Sequence, residues 1–122
     1  MRLKGSCHCG AVRFSLESET PFPYLRCYCS ICRKTAGGGG ERHFCPKCGS
    51  ALWVWDKHWP EWIYPFASAI DTPLPVPKER QHILLDSKAN WVEVPRGPRD
   101  KRFREYPREA IIDWHRKRGL LR

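Results

Sequence analysis

Seven cysteines fall into three tight groups along 122 residues. Cys7-His8-Cys9 is C-x-C, Cys27-Tyr28-Cys29-Ser30-Ile31-Cys32 is C-x-C-x-x-C, and Cys45-Pro46-Lys47-Cys48 is C-x-x-C. Zinc takes thiolate sulfurs at about 2.3 Å in tetrahedral directions. One tight turn supplies two sulfurs at such spacing, and two turns complete a site. Gly10 and Gly49 each follow a cysteine pair, where the lack of a Cβ lets the turn close. Seven ligands divide naturally as four plus three. A four-thiolate site is closed and structural, whereas three thiolates leave one position for water or substrate, the pattern of catalytic zinc. The Cys45/Cys48 knuckle needs a partner pair, and Cys7/Cys9 is the simplest choice, which leaves Cys27, Cys29 and Cys32 together. Spacing alone admits other divisions. One zinc with spare buried thiols and a redox dithiol are the competing readings. An iron–sulfur cluster would need four ligands of its own, and only three would remain.

Other residues near these groups have side chains suited to the same chemistry. Arg33 and Lys34 directly follow the last cysteine of the second group; they can offset thiolate charge and hold substrate carboxylates, or be solvated surface charge. His43, Asp56, His58 and Glu61 flank the third group and are candidates to carry a proton. His8 points away from its flanking ligands if the segment is extended. Trp53, Trp55, Trp59 and Trp62 form core or the aromatic wall of a pocket. Gly37 to Gly40 read as a flexible run that could present N–H groups to a carboxylate.

The length fits one domain, residues 1–122, able to bury roughly two-thirds of its unfolded surface. Eleven prolines and a mean hydropathy of −0.61 work against long helices and long central strands, so a metal staple has work to do. Met1 to Gly5 run into Cys7 with no apolar leader segment, and no stretch is apolar enough to span a bilayer. The expectation is a reduced, cytoplasmic setting, where clustered cysteines are metal ligands. The formal charge is +9, with ten Lys/Arg against four Asp/Glu in residues 96–122. The remaining +3 loses seven charges if every cysteine is a thiolate and regains four from two zinc ions, leaving the body neutral. The basic C-terminal segment therefore says little about nucleic acid for the cysteine-bearing part.

Val12, Phe14 and Leu16 alternate with polar neighbours and predict a half-buried strand. Strands are also predicted at Ala51 to Trp55, Trp62 to Ile70 (broken by Pro65), His82 to Leu85 and Trp91 to Val94. Pro73, Pro75 and Pro77 mark an extended connector, and residues 96–104 read as polar and exposed. One helix is predicted at the C-terminus, with Pro107 in its first turn, Ala110, Ile111 and Trp114 on its apolar stripe, and Gly119 as its cap. The reading is mostly β, short strands with one terminal helix.

Three segments together have a familiar form: residues 5–14 around Cys7-His8-Cys9-Gly10, residues 27–34 from Cys27 to Lys34, and residues 44–50 around Cys45-Pro46-Lys47-Cys48-Gly49. They resemble the glutathione-dependent formaldehyde-activating enzyme family, to which centromere protein V is related, and Asp113-Trp114-His115-Arg116 resembles the C-terminus of bacterial members. The resemblance implies a β-tent of short coiled sheets. It implies a structural zinc on Cys7, Cys9, Cys45 and Cys48, and a catalytic-type zinc on Cys27, Cys29 and Cys32. The implied activity is formation of S-(hydroxymethyl)glutathione from formaldehyde and glutathione, a carbon–sulfur lyase reaction whose partner is a small thiol. Members similar to this chain carry a longer stretch between the second and third groups; here twelve residues separate Cys32 from Cys45. The alternative function is a zinc-stabilised binding module whose basic C-terminal segment contacts nucleic acid or an acidic partner.

Overall fold

A computed structural model describes residues 1–20, 24–30 and 41–121. Among these the chain is mostly β, arranged as three small sheets. β1 (Arg2–Ser6) and β2 (Arg13–Glu17) form an antiparallel hairpin. β3 (Leu25–Cys27) lies parallel to β7 (Arg80–Ile83), which in turn lies parallel to β8 (Asp100–Arg102). β4 (Glu41–Phe44), β5 (Ala51–Trp55) and β6 (Tyr64–Pro65) form an antiparallel sheet. An α-helix, α1 (Ile111–Lys117), follows.

Strand alternation builds the first core. On β1, Leu3 and Gly5 face inward between exposed Arg2 and Lys4, as the two-residue period of a strand requires. They pair with Leu16 and Phe14 of β2. On β5, Leu52 and Val54 are buried. Leu52, Ala69, Cys7 and Cys45 make one buried cluster, with Val12, Phe14, Trp53 and Phe66 packed on it. Phe14 meets Trp53 edge-on, with ring centroids 5.2 Å apart. Two cysteines thus sit at the centre of this small core.

The second core is more polar. Gln81, His82 and Ile83 of β7 are buried. Trp114 of α1 is buried too, donates its indole N–H to Glu79 Oε1 at 2.8 Å and carries the Arg118 guanidinium 4.0 Å above its ring. Gly119, at φ +64°, ends the helix with its N–H on the Arg116 carbonyl, a left-handed cap.

Five expectations need correction. The strand expected over Trp62 to Ile70 is only Tyr64–Pro65; Pro65 offers no N–H and sits on an edge strand, after which Ala67–Ala69 curl into a 3-10 turn. Trp91 to Val94 is not a strand: the Val92 N–H bonds back to Ala89, and the Val94 carbonyl accepts from Arg102. The segment 96–104 is not simply exposed, because it contributes β8 and the fully buried Asp100 side chain. The helix starts at Ile111 rather than at Pro107, with Ala110 extended before it. The strand expected from His82 to Leu85 starts two residues earlier and stops at Ile83, where Leu84 turns left-handed at φ 58°.

Gly5 is fixed by close approach. A Cβ there would stand 2.3 Å from the Phe14 ring and 2.4 Å from the Ala69 carbonyl oxygen. Gly5→Ala should therefore destabilise the fold by about 2 kcal/mol or more, seen as a lower thermal midpoint. The basic segment is likewise part of the body. Deleting residues 96–122 removes β8, Trp114 and the partner of His82, and should abolish the cooperative melt.

Candidate functional site: a four-cysteine metal centre

Two matching turns build the site. The first joins β1 to β2: the Cys7 N–H donates to the Val12 carbonyl at 3.0 Å, and the Gly10 N–H returns to the Cys7 carbonyl at 3.1 Å. The second joins β4 to β5: the Cys45 N–H donates to the Ser50 carbonyl at 3.0 Å, and the Gly49 N–H to the Cys45 carbonyl at 2.7 Å. Gly10 and Gly49 sit at φ +77° and +74°, the left-handed conformation that other residues adopt at a cost. The His8 N–H donates to the Ser50 hydroxyl at 3.1 Å and fastens one turn to the other.

Between them lie four sulfurs, from Cys7, Cys9, Cys45 and Cys48, all within 4.8 Å of one another. Cys7 and Cys9 are 3.6 Å apart at Sγ, and Cys9 and Cys45 3.8 Å. Four sulfurs each about 2.3 Å from a central ion stand about 3.8 Å apart along the edges of a tetrahedron. The turns therefore already hold the sulfurs at metal-ligand spacing, and these residues could hold a metal ion. Cys7 and Cys45 are buried, while Cys9 and Cys48 are exposed, so one edge of the cluster faces solvent.

The thiols share protons unevenly. The Ser50 hydroxyl, 3.2 Å away, and backbone contacts with Ser50 and Cys9 draw the Cys48 thiol down to about 5. The Val12 N–H, 3.3 Å from Sγ, holds Cys7 below its usual value. The Ala11 backbone works to lower Cys9, but the adjoining Cys7, burial and the other two cysteines push it up to about 11. Four thiolates at this separation repel; a central cation removes that repulsion and lets all four ionise.

The second group is described only in part. Cys27 ends β3, paired with Ile83, and the next N–H, that of Tyr28, donates to the Ile83 carbonyl at 3.1 Å. Cys27 and Cys29 are both half-buried. Cys32, Arg33, Lys34 and Gly37 to Gly40 lie outside the described residues, as does the segment 31–40 that holds them.

The other residues singled out by sequence are dispersed. His43 stacks on Trp53 with ring centroids 5.2 Å apart and lies 3.4 Å from Glu41. Asp56 holds His58 through its N–H at 2.8 Å and its ring at 2.5 Å, which keeps the carboxyl below its usual range. Glu61 and His8 are exposed. Trp55 donates to the Pro60 carbonyl, Trp59 meets Tyr64 edge-on, and Trp62 is exposed.

One constellation escaped the sequence reading. His82 has no exposed surface; its Nε2 lies 2.8 Å from Asp100 Oδ1 and its Nδ1 2.8 Å from the Tyr28 hydroxyl. Asp100 also accepts from Arg80 at 3.1 Å and from the Gly97 N–H at 2.9 Å. The hydrogen bond from His82, helped by Gly97 and Arg80, holds its carboxyl below the usual range. An ionised carboxylate only accepts, so His82 Nε2 carries a proton, and in the neutral ring Nδ1 accepts from the Tyr28 O–H. Two sequence signals pointed here: a polar Gln81-His82 pair opening an apolar run, and Asp100 as the lone acid among the cations of residues 96–104.

Residues 2–41 match the model of the family described as glutathione-dependent formaldehyde-activating enzyme. A Halomonas elongata protein, provisionally named as a glutathione-dependent formaldehyde-activating enzyme, is 47% identical over 154 aligned positions that take in 98% of each chain. Those positions outnumber the 122 residues present here by 32, so the relative has residues within the aligned span that this chain lacks. With that identity across nearly all of both chains, the chain belongs to the glutathione-dependent formaldehyde-activating enzyme family.

Proposed function

We propose that this chain is a zinc-dependent carbon–sulfur lyase acting on a thiol adduct, with formaldehyde and glutathione as the substrate pair, in the cytoplasm. The observation that carries the reading is the four-sulfur cluster at tetrahedral spacing in a member of this family. An all-thiolate set in that geometry suits zinc. Cys7, Cys9, Cys45 and Cys48 would hold a structural ion, and Cys27, Cys29 and Cys32 a second one, making two per chain in a single domain.

The reaction adds a thiol across a carbonyl. The sulfur bonds to the formaldehyde carbon, the carbon–oxygen π bond opens, and the proton from the thiol ends on the new hydroxyl oxygen. A zinc ion held by three thiolates would supply Lewis-acid polarisation and a lowered thiol pKa. Cys27, Cys29 and Cys32 would carry that ion and leave one position to the substrate. Arg33 and Lys34, next in sequence, would face the carboxylates of glutathione. The family match ends at Glu41, between Cys32 and Cys45, where the resemblance implies a longer stretch in similar members. A missing wall there would alter substrate recognition and leave the cysteines in place.

The test substitutes cobalt for zinc, which makes thiolate ligation visible. Adding glutathione should change the cobalt–thiolate spectrum, and formaldehyde with glutathione should then be converted to the adduct. An unchanged spectrum with every small thiol tried would overturn the reading.

The two ions should differ in their hold on the fold. A structural zinc contributes on the order of 10 kcal/mol, against a total domain stability of about 5–15 kcal/mol. Cys45→Ser and Cys9→Ser should therefore give unfolded or insoluble protein. Cys29→Ser should remain folded, retain about one zinc per chain and lose adduct formation. Zinc content measured alongside a thermal melt checks all three variants; the reverse pattern would mean the division of ligands is wrong.

A further inference from the structure

We propose that Tyr28 and His82 are positioning residues for the second metal site, and that the Tyr28–His82–Asp100 chain holds the sulfurs of Cys27 and Cys29 in place. This rests on reading Cys27, Cys29 and Cys32 as ligands of one ion. Tyr28 stands between two of those cysteines, and it is tied to β7 twice. Its N–H donates to the Ile83 carbonyl, and its hydroxyl meets His82 Nδ1 at 2.8 Å. Along extended backbone successive side chains take opposite faces, so anchoring Tyr28 on one face directs Cys27 to the other.

The anchor is stiff because its two inner links are buried and saturated. Neither His82 nor the Asp100 side chain has exposed surface. Asp100 is held from three further directions, by Arg80 through Nε and Nη2 and by the Gly97 N–H. His82 is held at both ring nitrogens, which leaves its imidazole one orientation. Burying a histidine and an aspartate is costly without a partner at every polar atom, and here one of those partners, the Tyr28 hydroxyl, leads to the cysteine pair. The closed site has a fastening of its own, the His8 to Ser50 hydrogen bond.

The experiment loads the full chain with two equivalents of cobalt and withdraws the ions with a graded chelator, following the thiolate bands. Tyr28→Phe removes only the hydroxyl, leaving the ring and the His82–Asp100 pair. It should loosen the weaker ion about ten-fold or more, shift that ion's bands, and leave the tighter ion and the cooperative melt intact. Asp100→Asn, which unlocks His82 from the other end, should act on the same ion in the same direction, and it decides alone if Tyr28→Phe does not fold. Trp114→Phe serves as the control: it loses the Glu79 hydrogen bond and lowers the melt, yet should leave the weaker ion unchanged. Two ions in the wild-type chain, held equally well by folded Tyr28→Phe and Asp100→Asn, would overturn this proposal alone. A wild-type chain that takes up a single ion would overturn the three-cysteine reading and this proposal with it.

Discussion

Four sulfurs must converge within 4.8 Å of one another from two turns that lie 36 residues apart in sequence, and the first core is arranged around that demand. Cys7 and Cys45 sit inside it, against Leu52 and Ala69. Each turn grows from the end of a hairpin that also supplies Phe14 or Trp53 to the same cluster. The close pass of Gly5 beneath Phe14 and Ala69 brings the first hairpin near enough for its turn to reach the second. Among the described residues few large apolar side chains are fully buried, so a bound ion would supply cohesion that the hydrophobic contacts lack.

The parallel sheet is organised differently. Its centre is a histidine and a carboxylate rather than aliphatic packing, and satisfied polar groups of this kind specify one arrangement more than they add stability. Asp100 binds β8 to β7 through both Arg80 and His82, which repeats the backbone pairing of Arg80 with Asp100 and of His82 with Arg102. The two cores thus solve separate problems: one gathers ligands from distant turns, and the other fixes the short strand that leads into Cys27.

Much of this was legible in the residues themselves. Paired cysteines followed by glycine announce their turns, because only a few backbone shapes bring two sulfurs to one point and the glycine after each pair occupies a positive φ. Ala51 to Trp55 was readable as a strand because it is a short apolar, aromatic run, and the fold buries alternate members of it, Leu52 and Val54. Trp91 to Val94 misled because apolar, β-prone residues there meet no partner strand, and Trp91 stays exposed; propensity records fit to a sheet, not its presence. β8 was hidden because Asp-Lys-Arg has no apolar alternation. Its place depends on hydrogen bonds from Arg80 and His82, twenty and eighteen residues away, which no local pattern reports.

The parallel pairing of β3 with β7 joins Leu25 to Gln81, and the whole antiparallel sheet lies in the chain between them. Contacts so distant in sequence form late, since the entropy of closing the loop precedes any reward. Both hairpins and both glycine-capped turns are complete by Trp55, so the four-sulfur cluster can assemble while the C-terminal half is still being synthesised. Tyr28 must wait for His82, and His82 for Asp100. The chain order therefore imposes a sequence of assembly: a nascent protein can gather its four-sulfur cluster before the strand that leads into Cys27 has a neighbour to pair with.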